Sequence, residues 1–151
     1  MSNITQVELN NGYRHIRYII DKLINLNGIR YTSRETAPNN YNDMCTYYKH
    51  HGVFLVYNGG DHGYLGKEYN IRFRALHDYM HYNLNLSFSF RDEKKLSSIT
   101  MQEFQCKAQF YSHREQFVIM SIIKAEIQGQ IEYYEETHNY VLNQARFINE
   151  Y

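Results

Sequence analysis

Phe117-Val118-Ile119-Met120-Ser121-Ile122-Ile123-Lys124-Ala125-Glu126-Ile127 is the most apolar stretch of the chain, and its periodicity predicts a helix over about 114–136. The stripe runs through Phe117, Met120, Ser121, Lys124, Ala125, Gln128 and Ile131, with Val118, Ile122, Ile123 and Ile127 broadening it. A helix that is apolar on most sides is one that its neighbours surround. It is therefore expected at the centre of a helical fold. Glu126 is out of character there, since a carboxylate in such a setting either faces a polar site or escapes to the surface. Gly129, one turn on, permits close approach of another helix.

Working outward, helical spacing extends back to Ser97, where Thr100-x-x-Glu103 has the spacing of a capping box and Phe104, Ala108 and Tyr111 follow. A last docking helix is expected over 140–151, from Val141, Leu142, Ala145, Phe147 and Ile148. At the other end, residues 4–26 carry Ile16, Ile19, Ile20, Leu23, Ile24 and Leu26 at helical steps. Gly12 is a candidate start, capped by Asn10 or Asn11, and Asn25-Leu26-Asn27-Gly28 is the stop. His15, between Arg14 and Arg17, is expected in solvent.

Between these helices the text is mixed. Ile29–Thr32 suits a short strand, 41–50 a short helix ended by Gly52, and Val53-Phe54-Leu55-Val56-Tyr57 is the clearest strand. Asn58-Gly59-Gly60-Asp61-His62-Gly63 is turn vocabulary, although Asp61 and His62 could also face a site across a cleft. Leu84–Phe90 alternates, turning Leu86, Phe88 and Phe90 inward, and Arg91-Asp92-Glu93-Lys94-Lys95 is expected as a solvated loop. The sum is mainly α with a small β element, a compact bundle of five or six helices in a single domain spanning 1–151.

Composition narrows the function classes. The 16 Lys plus Arg balance 16 Asp plus Glu, so nothing in the total charge draws a nucleic acid or an anionic membrane. No run of about 18 apolar residues spans a bilayer, and the N-terminal text is not that of a secretory signal. Cys45 and Cys106 are far apart and outside any CxxC spacing, which fits a reduced cytoplasmic protein. The 16 tyrosines suit a core with wet edges or a binding surface.

The chemistry-bearing stretch is Arg74-Ala75-Leu76-His77-Asp78-Tyr79-Met80-His81-Tyr82. With Asn70 as cap and a helix over 71–83, His77 and His81 stand one turn apart on one face and can address a single ion. They lie at the border of the apolar stripe of Phe73, Leu76, Met80 and Leu84, where a half-buried histidine bonded to a carbonyl would also sit. The pattern is similar to the H-E-x-x-H helix of zinc metallohydrolases, with Asp78 in place of the Glu. A catalytic zinc site wants three protein ligands. Glu103 is the first candidate for the third and Glu126 the next, as ligand or as a carboxylate orienting an imidazole; Asp61 and His62 follow. Asp78 and Glu126 are the candidate catalytic carboxylates, Asp78 being one methylene shorter than the Glu of the hydrolase helix.

The layout His77-Asp78-x-x-His81, an apolar run to Phe88, Glu103 with Gln109, Ala125-Glu126-Ile127-x-Gly129-Gln130-Ile131-Glu132-Tyr133-Tyr134 and Val141-x-x-Gln144-x-x-Phe147 resembles a group of small uncharacterised bacteriophage proteins over the second half of the chain. The resemblance implies a phage origin, hence the host cytoplasm or the virion, and a grouping of His77, His81, Glu103 and Glu126. Together these observations set two expectations. One is a divalent cation, zinc first, serving a metal-dependent hydrolase or its inactive relative that acts on a small molecule. The other is a virion-associated or host-interaction protein, or a homo-oligomer, that meets a partner chain through a tyrosine-rich surface.

Overall fold

Helix α1 begins earlier than Gly12. In the computed structural model, which describes residues 3–60 and 63–129, it spans Gln6–Asn27. Thr5 and Glu8 form a reciprocal capping box, which satisfies two of the orphan donors of the first turn. Gly12 is an interior contact instead: a Cβ there would meet Ile122 Cδ1 at 2.6 Å and Val118 Cγ1 at 2.8 Å. Glycine is what lets the backbone of α1 approach the apolar helix this closely. Gly28, at φ +59°, closes α1 in the left-handed conformation.

Strands β1 (Tyr31–Arg34) and β2 (Phe54–Tyr57) pair in parallel, Tyr31 opposite Phe54 and Arg34 opposite Tyr57. Parallel strands need a crossover, and α2 (Tyr41–His51) supplies it, capped by Asn40 and ended by Gly52. Phe54 and Val56 point into the core while Leu55 and Tyr57 alternate outward. A 3-10 turn, Gly63–Leu65, leads into α3 (Lys67–Leu84), followed by α4 (Phe90–Lys107) and α5 (His113–Lys124), whose end passes into a π-helical turn, Ala125–Gly129. The described residues are thus mainly α with a small β element: five α-helices and a two-stranded sheet. The helix expected over 140–151 lies outside them, as do Asp61 and His62. No described helix is long and apolar enough to cross a membrane.

The buried side chains form one cluster that draws on α1, α2, β2, α3, α4 and α5. Helix α5 packs against α1 and α4, and its buried face is Val118, Ile119, Ile122 and Ile123 rather than the stripe expected through Phe117, Met120 and Lys124. Phe117 remains 39 % exposed and Met120 half-buried. Both faces are apolar, so periodicity alone leaves the rotation of the helix open, and the contact with α1 at Gly12 sets it. The start expected for α4 at Thr100 is also displaced. Thr100 is buried in mid-helix and donates to Leu96 O at 2.9 Å, while Ser89 is the cap and accepts from Asp92 N. Arg91–Lys95 is therefore helical, not a loop. His15 is enclosed rather than solvated: its ring lies 4.3 Å from that of Tyr111, with Nε2 3.0 Å from Glu115 Oε2. Both cysteines are free.

Arg114 joins α5 to the capping box of α1 through bonds to both oxygens of Glu8. That guanidinium, followed by the Thr5 N–H, holds the Glu8 carboxyl at about 2, below its ordinary 4.5. A depressed carboxyl contributes stability that is complete above the unfolded value and is lost as pH falls through the folded one. The expected result is that wild-type melting temperature declines between pH 4.5 and about 2 more steeply than that of Glu8→Gln, measured by circular dichroism. Parallel curves for the two proteins would remove this linkage.

Candidate metal centre

His77 and His81 are brought together by α3, one turn apart. What orients them is how α3 ends. Asn85 adopts φ +54°, its N–H bonds to Tyr82 O, and Leu86 N–H bonds to His81 O at 3.0 Å, the pair of bonds of a Schellman motif. Asparagine tolerates this left-handed position better than most residues. The same turn carries Leu86 O back to His81 Nδ1, at 2.8 Å. A carbonyl only accepts, so Nδ1 carries the proton, and in the neutral ring Nε2 is left as a lone pair. His81 is fully buried, inside the core rather than at its border, and its ring meets Phe88 at 4.7 Å.

Residues 85–89 then turn the chain into α4. Asp92 Oδ2 accepts from both the N–H and the hydroxyl of Ser87, each at 2.8 Å, and Ser89 caps the helix. This tight corner places Glu93, in the first turn of α4, against the two imidazoles. Glu93 Oε1 lies 2.9 Å from His81 Nε2 and Oε2 lies 3.1 Å from His77 Nε2, while the two Nε2 atoms are 3.0 Å apart. Among the described residues this is the one group of three whose donor atoms can address a single cation. Bonds of about 2.0–2.2 Å put tetrahedral ligand atoms about 3.3–3.6 Å apart and octahedral neighbours about 2.8–3.1 Å apart. The observed triangle accepts either geometry with shifts of a few tenths of an ångström.

The electrostatics suit a cation as well. In the metal-free protein burial would raise the Glu93 carboxyl, but the hydrogen bonds and charge of His77 and His81 in their protonated forms outweigh it and hold it at about 2. Glu93 is therefore an anion at neutral pH. His77, 27 % exposed, is pulled down by burial and up by Glu93, with a net rise. Asp78 is half-buried and makes no hydrogen bond among the described residues. Burial pushes it up to about 6, with Glu93 acting in the same direction against His77, His81 and Arg74. Asp78 thus lies within reach of the charges of both imidazoles and of Glu93.

The other sequence candidates stand elsewhere. Glu103 is exposed on α4, ten residues and so about 15 Å along the helix from Glu93. It does not belong to the donor group, nor does it cap a helix. Glu126 occupies the π-helical turn and accepts the Tyr13 hydroxyl at 3.0 Å, bridging to α1. The third donor is Glu93, which sequence reasoning assigned to a solvated loop. The signal that finds it is Ser89-x-x-Asp92, a serine-acid spacing that marks a helix start and puts Glu93 twelve residues after His81 on the facing helix. Comparison with protein-family models, with curated proteins and with solved structures gives no match to this chain.

Proposed function

We propose that the protein binds one divalent cation, zinc first, through His77 Nε2, His81 Nε2 and Glu93, and that the centre serves a metal-dependent hydrolase. The observation that carries this is the pinning of His81 Nδ1–H by Leu86 O, which leaves Nε2 facing His77 Nε2 and Glu93 across gaps of about 3 Å. An imidazole whose far nitrogen is held by a carbonyl is the arrangement by which proteins preset a metal ligand. Histidine and carboxylate suit zinc and its first-row neighbours. Three protein donors leave a position for water, and a cation there supplies Lewis-acid activation of that water toward a carbonyl or phosphoryl centre. Asp78 would accept the proton.

Metal analysis of protein purified without a histidine tag tests the binding. About one equivalent is expected in the wild type, little in His77→Ala or Glu93→Ala, and the full amount in Glu103→Ala. Metal-free wild-type protein that also takes up none on titration would sink the centre. The chemistry has its own test, hydrolysis of chromogenic carboxylic and phosphoric esters by the metal-loaded protein. Asp78→Asn should keep the metal and lose about 10²-fold or more in turnover. If Asp78→Asn turns over at the wild-type rate, the proton acceptor is another group.

A partner chain meeting a tyrosine-rich surface has less support, because among the described residues several tyrosines are engaged within the fold, although Tyr18, Tyr57 and Tyr64 are exposed. Tyr13 bonds Glu126, Tyr69 bonds Asp21, Tyr79 bonds Asn27, and Tyr48 stacks on Phe54.

A further inference from the structure

One buried polar group, one helical turn after Glu93, has no hydrogen-bond partner among the described residues. Ser97 is 3 % exposed, and its buried Oγ makes no hydrogen bond among the described residues. A serine or threonine inside a helix ordinarily turns its hydroxyl to the carbonyl four residues back. Thr100 does so with Leu96 O at 2.9 Å, and Ser121 with Phe117 O at 2.8 Å. Ser97 has the equivalent acceptor in Glu93 O and does not use it. A buried hydroxyl left in this way carries a desolvation cost that nothing among the described residues offsets.

Its direction follows from α4. Glu93, Ser97, Thr100 and Phe104 recur at helical steps along one face. The positions flanking Ser97 touch α3: Glu93 meets both imidazoles, the Thr100 hydroxyl meets Met80 Sδ at 3.6 Å, and the Phe104 ring stacks on Phe73. Ser97 shares that face. In a helix the Cα–Cβ bond leans toward the N-terminus, so its hydroxyl leans back over the turn that carries Glu93.

We propose that Ser97 is a positioning residue for the exogenous ligand of the centre, a water or the substrate oxygen that replaces it, held by a hydrogen bond to Oγ. The assignment rests on the cation site of His77, His81 and Glu93. No bond is made or broken at Ser97; its hydroxyl donates one hydrogen bond to, or accepts one from, the ligand oxygen. The ligand class is thus an oxygen ligand, such as water, a carboxylate or a phosphoryl group, in reach of both the cation and the serine.

The test uses the full chain with Zn(II) and Co(II) as probes, read by calorimetric titration, by the visible spectrum of the Co(II) form and by thermal unfolding of the metal-free protein. Metal-free Ser97→Ala should melt at the wild-type temperature or above it, because the unpaired hydroxyl is gone. Its cation affinity should nevertheless fall about 10-fold, with shifted Co(II) bands. Ser97→Thr, which keeps the hydroxyl, should lie closer to wild type than Ser97→Ala in both affinity and spectrum. Wild-type affinity and an unchanged spectrum in Ser97→Ala would overturn the assignment, as would a lower melting temperature of its metal-free form. Failure of the wild type to bind either cation is a separate outcome, and it overturns the centre itself.

Discussion

His81→Ala is expected to abolish divalent-cation binding and to lower the stability of the metal-free protein by roughly 2–4 kcal/mol. Three losses coincide at this residue. Leu86 O loses the Nδ1–H that it accepts inside the core, a buried unpaired carbonyl costing about 1–3 kcal/mol. Glu93, only 25 % exposed, keeps one imidazole partner of two. The ring also leaves a cavity against Phe88, since His81 is fully buried. His77→Ala makes the control: its ring is 27 % exposed and bonds no backbone carbonyl among the described residues, so metal is expected to be lost with a smaller change in stability. Urea unfolding of the three metal-free proteins, beside metal titrations, separates the effects. Equal stability losses at the two histidines would mean that the Leu86 bond contributes little.

Phe104→Ala should give the largest loss of stability, about 3–5 kcal/mol, the range for removing a fully buried phenylalanine. Phe104 is completely buried on α4, and its ring stacks on Phe73 of α3 with centroids 6.0 Å apart. It lies eleven residues beyond Glu93, about three turns along the helix, so the native fraction should still take up one cation. Urea midpoints of wild type and variant measure the first part, and calorimetric titration of the folded variant the second. A loss below about 1 kcal/mol would show that the α3–α4 contact tolerates a void there. Loss of metal binding in a variant that remains folded would show that the stack also sets the distance between α3 and α4 at the centre.

The helical class, the two short strands and the apolar character of α5 follow from local composition, because periodicity and turn residues act within a few positions of one another; the parallel pairing of the strands does not. The strand-and-stop signals at Val53–Tyr57 and Gly52 match β2 and the end of α2 closely. The error at α4 is equally local in origin. Arg91-Asp92-Glu93-Lys94-Lys95 looks like solvent because five charges in a row look alike whether they form a loop or the first turns of a helix. The cap at Ser89, two residues before them, distinguishes the cases.

By itself the sequence determined that His77 and His81 stand one turn apart on one helix, and it set the expectation that a carboxylate from elsewhere would complete a site. Which carboxylate was decided only in three dimensions. Glu103 and Glu126 looked suitable because they stand in apolar helical text, yet one is in solvent and the other bonds Tyr13. Glu93 reaches the histidines because Asn85 reverses the chain, Ser89 restarts it as a helix, and the corner between them brings the first turn of α4 against the last turns of α3. Spacing along a helix is written in the covalent chain. Distance between two helices depends on the turn that joins them and on the core that holds them, and these are properties of the folded whole.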